Sequence, residues 1–137
     1  MLLNNDLIEY AGAPNRIIRI LWIDQQHDLA YTFELGCATA WPRPVALASL
    51  VADLQTRRAR LLLTDPYRAL PRHDPPEHHR QLQARAWDAV RVLHERRPDV
   101  YLRATRANAV AGNARQHGMS RANIMRYLRR YWERGQT

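Results

Sequence analysis

Apolar residues in the first half of the chain fall in short runs, whereas in the second half they recur three and four positions apart. Leu7–Tyr10 reads as a strand, followed by a turn at Ala11–Asn15. Arg16–Asp24 is rich in β-branched residues and is closed by the polar run Gln25–Asp28. Leu29–Leu35 comes next and places Tyr31, Phe33 and Leu35 on one face, so these two runs predict a hairpin. Pro42 and Pro44 interrupt regular structure. Val45–Gln55 predicts a short helix with Leu47, Leu50, Val51 and Leu54 at helical spacing, and Arg60–Thr64 reads as a last strand. Residues 1–70 are therefore expected to form a small, mainly antiparallel β domain with one short helix.

Asp65-Pro66 ends that pattern. Pro71, Pro75 and Pro76 then crowd a stretch that disfavours helix and central strand alike, so residues 71–79 read as a linker. Residues 80–137 read as three helices. Glu77–Arg97 carries Leu82, Ala86, Val90 and Leu93 along one stripe, with Trp87 beside it, and Pro98 stops it. Val100–His117 is the second helix, with Leu102, Ala109 and Val110 inward. Gly118 supplies the turn. Ser120 caps a third helix that runs to Arg134, with Gly135 as its stop. The fold class is α+β, a β domain followed by a three-helix helix-turn-helix module.

Charge sharpens this division. The 137 residues carry a formal net charge of +8, and all 21 basic residues are arginine. Up to Pro76 eight arginines face eight acids, whereas from Glu77 onward thirteen arginines face five. The excess lies entirely in the helical half, as expected of a polyanion-binding module beside a neutral one. The single cysteine, Cys37, excludes an internal disulfide and a cysteine zinc cluster. No apolar run is long enough to span a membrane, and the amino terminus has no signal-peptide pattern. These features predict a cytoplasmic protein.

The informative stretch is Gly118–Leu128. A helix, a Gly-containing turn and a second helix make the geometry whose second helix enters the DNA major groove. On a helical wheel Ile124, Leu128 and Tyr131 share an inward face, flanked by Met125 and Trp132. The other face carries Arg121, Ala122, Asn123, Arg126, Arg129 and Arg130. Asn123 suits adenine, Arg126 guanine and Ala122 a thymine methyl. Ser120, Arg121, Arg129 and Arg130 suit phosphates. The expected partner is double-stranded DNA.

Two other readings stay open. His73, Asp74, Glu77, His78 and His79 concentrate metal-binding side chains, the basis for a metal-dependent nuclease, although their spacing matches no helix-borne ligand pair. Helix-turn-helix modules also serve transcriptional regulators. The β domain reads either as a protein-interaction module or as a second DNA contact through Arg57, Arg58 and Arg60, and its zero net charge favours a structural or protein-contact role. No Gly-rich phosphate loop occurs, and no cofactor is expected.

The segment Ser120–Thr137, above all Leu128-Arg129-Arg130-Tyr131-Trp132 and Arg134-Gly135-Gln136-Thr137, resembles the region preceding the catalytic domain of TnsB-type transposases. These are relatives of the phage Mu transposase with an integrase-like core. Leu63–Leu70 resembles the end of that family's small amino-terminal β domain. The resemblance implies recognition of repeated sequences at transposon ends in a bacterial cytoplasm and nucleoid, with companion transposition proteins as further partners. It also implies a catalytic core beyond Thr137 holding three metal-binding carboxylates. Neither Asp65 nor Asp74 corresponds to these, so this chain is expected to have no catalytic residues, no metal and no enzymatic activity of its own.

Overall fold

A computed structural model of the chain describes residues 1–67 and 77–136, with the side chains of His78 and His79 left undescribed. The greater part of the expected linker, residues 71–76, lies outside the described residues, as do His73 and Asp74. The chain forms two compact units, Met1–Arg68 together with Trp132–Thr137, and Ala69–Tyr131.

The first unit is built on five antiparallel strands: β1 (Leu7–Tyr10), β2 (Arg16–Asp24), β3 (Leu29–Glu34), β4 (Arg43–Ala46) and β5 (Ala59–Leu62). Their spatial order is β4-β3-β2-β1-β5. One helix, α1 (Leu47–Gln55), separates β4 from β5. The expected hairpin of β2 and β3 forms, with Arg19 opposite Phe33 and Asp24 opposite Leu29. Alternation sends Ile18 and Ile20 of β2 to one face, where they form a core with Ile8, Ala30, Leu50 and Ala59. Leu50 is the helix residue fully enclosed there, whereas Val51, expected to face inward, is exposed. Tyr10 fastens β1 to α1 by donating its hydroxyl to Asp53 Oδ2 at 2.7 Å. Burial and the Asp53 carboxylate push that phenol up to about 12.

Pro44 was expected to interrupt regular structure, yet it lies inside β4, opposite Tyr31. The reason is position: β4 is an edge strand, where a residue without an N–H breaks no inner ladder. Two boundaries also move: α1 begins at Leu47 rather than Val45, and the last strand covers Ala59–Leu62 rather than Arg60–Thr64.

The opposite face of β2 holds Arg19, whose side chain is completely buried. Its guanidinium donates Nη1 to Asn5 O at 3.0 Å and Nη2 to Glu133 O at 2.8 Å. It also pairs with Asp65 Oδ2 at 2.8 Å. Gly135, at φ +86°, lies against it; a Cβ there would come within 3.3 Å of Nη1. Gln136 adds hydrogen bonds to Leu21 O and Asn5 Oδ1. Phe33, beside Arg19 in register, packs on Trp132 with ring centroids 5.5 Å apart. A charged residue inside an apolar strand is tolerated because these acceptors replace the water that the two Nη atoms give up; only Nε is left without an acceptor among the described residues.

The second unit contains α2 (Glu77–Glu95), a 3-10 turn at Asp99–Tyr101, α3 (Arg103–His117) and the greater part of α4 (Arg121–Glu133). Ala86, Ala89, Val90 and Leu93 of α2 are buried with Val100, Tyr101, Ala109, Val110, Ala114, Ile124 and Leu128. Leu82 was expected on that stripe but is 52% exposed. The second helix was expected to start at Val100; instead Leu102 is extended, at φ −98° and ψ 132°, and the α-helix begins one residue later. No helix among the described residues is long and apolar enough to cross a membrane.

Candidate DNA-binding site

The turn between α3 and α4 is three residues long, Gly118-Met119-Ser120. Gly118 adopts φ +62°, and the Met119 N–H reaches back to Ala114 O at 3.0 Å, the bond that closes a Schellman motif. Arg85 of α2 donates to His117 O at 3.0 Å, so a cation also meets the carboxy-terminal carbonyls of α3. Ser120 Oγ accepts the Asn123 N–H at 3.1 Å, and Ser120 O accepts from Ile124, also at 3.1 Å. Ser120 is thus the cap that its residue type predicted.

α2 and α3 are held together by more than apolar contact. Asn113 of α3, nearly fully buried, donates Nδ2 to Ala89 O of α2 at 2.8 Å. An aromatic cluster lies on α2 and α4: Trp87 meets Tyr131 at 5.7 Å and Tyr127 at 6.5 Å, and His94 meets Tyr131 at 5.5 Å. Desolvation, with Arg97 next in effect, lowers the His94 pKa and favours its neutral form. Arg106 is also largely enclosed, and burial beside Arg103 and Arg129 disfavours its charge.

On α4 the division into two faces is clear. Ile124 and Leu128 are buried, Tyr131 half-buried, and Met125 half-buried at the margin. Trp132, expected only to flank this stripe, is fully buried in the first unit against Phe33. Ser120, Arg121, Ala122, Asn123 and Arg126 are exposed, and Arg129 and Arg130 are half-buried. Arg130 lies over the Tyr127 ring at 5.8 Å, which limits its rotamers and orients its charge. The first turn of α4 contains no acidic residue, so nothing there opposes a phosphate at the helix's positive end.

Two contributors escaped sequence reasoning. Arg115 is exposed in the last turn of α3, and with Arg121 it rims a hollow whose small walls are Ala111, Ala114 and Gly118. Its position three residues before Gly118 was the available signal. Arg85 offered none, because its acceptor lies 32 residues away. Among the described residues no cluster of His, Cys, Asp or Glu is arranged to hold a metal ion. Of the His73–His79 group, Glu77 is exposed and pairs with Arg80 at 3.6 Å, and the histidines and Asp74 fall on undescribed residues and side chains.

A neutral β unit together with a helix-turn-helix whose second helix exposes arginines defines a class, DNA-binding proteins of the helix-turn-helix type. The particular family follows from comparison. Residues 1–66 match the family model of the TnsB N-terminal SH3-like domain, and residues 83–137 match that of the TnsB second domain. The chain belongs to the TnsB-type transposase family, of which it carries two DNA-binding-region domains. These two domains occupy nearly all of the 137 residues. None of the curated proteins matches the chain.

Proposed function

We propose that α4 is a recognition helix that reads repeated sequences at transposon ends. The observation that supports this most is the display of Arg121, Ala122, Asn123 and Arg126 on the open face of a helix capped by Ser120, with Ile124 and Leu128 buried behind it. Side chains in the first turns of such a helix reach base edges in the major groove. Asn123 would pair with adenine, Arg126 with guanine, and Ala122 would touch a thymine methyl. Ser120, Arg121, Arg129 and Arg130 would hold phosphates and set the register. Duplex DNA is the partner in this reading, with companion transposition proteins assembling on the same region in a bacterial nucleoid. The chain would bind rather than cut, since strand transfer belongs to a catalytic core.

Selection from a random duplex pool at two salt concentrations tests the proposal. The expected result is one enriched motif that survives the higher salt and recurs at the ends of the source element. Arg126→Ala should relax preference at one base pair, by about 1–3 kcal/mol, whereas Arg129→Ala should weaken all duplexes alike. Enrichment of no motif at either salt would reduce the arginine face to a non-specific polyanion surface.

A further inference from the structure

The β unit has its own arginine-rich element. α1 ends at Gln55, and Thr56 closes it by donating its hydroxyl to Ala52 O at 2.8 Å. Arg57 and Arg58 then form the turn into β5, both exposed. Arg57 sits at φ +61°, a left-handed conformation that glycine or asparagine adopts with less strain. Backbone geometry alone therefore favours a different residue at position 57, and the arginine side chain there is exposed.

Neighbouring charges sharpen the contrast. Glu9, the acid on the adjoining strand, is taken by Arg60 at 2.6 Å. Asp53 accepts the Tyr10 hydroxyl, and Glu34 is paired with Arg16 at 2.6 Å. Arg57 and Arg58 have no ion-pair partner among the described residues. The β half is neutral in total, but Glu9, Glu34 and Asp53 are engaged with other residues and two adjacent cations stand open at one turn. We infer that the α1–β5 turn is a second DNA contact, in which Arg57 and Arg58 hold phosphates of the duplex. This deepens the DNA-binding reading of the chain and rests on it. It adds affinity without sequence preference, because phosphates carry no base identity.

The test uses the full chain with Arg57→Gly/Arg58→Gln, compared with the charge-matched control Arg16→Gln/Arg60→Gln, whose arginines are paired. Binding to a fixed duplex is measured across a salt series. The expected result is affinity about three- to tenfold lower at low salt, and a slope of log K against log salt shallower by roughly two. The control should change the slope by clearly less. Melting temperature should hold or rise in the Arg57→Gly single variant, since glycine suits the left-handed position. An unchanged slope, an equal change in the control, or a loss of binding that tracks a fall in melting temperature overturns the inference. Arg126→Ala in the same assay keeps the two readings apart. A lost base preference with an unaltered Arg57/Arg58 slope sinks only the turn contact. A reduced slope without any base preference sinks only the recognition by α4.

Discussion

Arginine has opposite roles in the two units. In the sheet, Arg19 is enclosed completely, and its two Nη atoms are held by two carbonyl oxygens and the Asp65 carboxylate, while Nε has no partner among the described residues. On α4, Arg121 and Arg126 are exposed and have no acidic partner among the described residues. A buried guanidinium needs its acceptors inside the protein, because the desolvation penalty is otherwise several kcal/mol. An exposed one keeps its donors for something outside. The same residue type is therefore structural or functional according to where its hydrogen bonds end.

The largest expected effect breaks the first side of that contrast. Asp65→Ala leaves a buried cation short of its counter-charge and should destabilise the β unit by about 3–5 kcal/mol in chemical denaturation. Stability within 1 kcal/mol of the parent, roughly, would mean that the carbonyl acceptors suffice. On the other side, Leu128→Ala empties the core behind the exposed arginines and should lower stability by about 2–5 kcal/mol. DNA binding should be lost with it; a folded, binding variant would show that α4 faces the other way.

Smaller effects sharpen the picture. Ser120→Ala removes the cap that starts α4 and should cost about 1 kcal/mol, with weaker binding to every duplex. Helical circular dichroism during urea titration reads that change. The smallest concerns pH. The lowered His94 pKa means that the unfolded chain binds a proton more readily than the folded one. Its stabilising contribution is full above the unfolded value near pH 6.5 and is lost as pH falls through the folded value. Urea midpoints at pH 7.5 and 5.5 should differ in that direction, and His94→Gln should flatten the difference. A midpoint that rises on acidification would contradict the burial of a neutral ring.

Local chemistry made much of this legible in advance. The strands at Leu7–Tyr10 and Arg16–Asp24 occupy the residues expected of them, the second from its β-branched pattern. Gly118 and Ser120 form the turn and the cap that their side-chain properties require. The amphipathic split of α4 followed from spacing alone, with Ile124 and Leu128 inward and Arg121, Asn123 and Arg126 outward. Errors arose where a neighbour decided. Pro44 looked like a breaker until the sheet order placed it on an edge. Leu82 has the right spacing for the α2 stripe but is half exposed.

Periodicity, caps and charge by themselves determined the α+β class, the helix-turn-helix and the arginine face, because each depends on residues within a turn or two of one another. Tertiary structure alone decided the roles that depend on distant residues. Nothing within Arg16–Asp24 marks Arg19 for burial; only folding brings Asp65 and Glu133 O to its guanidinium. Trp132 reads as the margin of a helix until Phe33 meets it. A strand or helix pattern records which face is apolar, but the identity of the opposing surface is a long-range property, set when the chain closes on itself and water leaves.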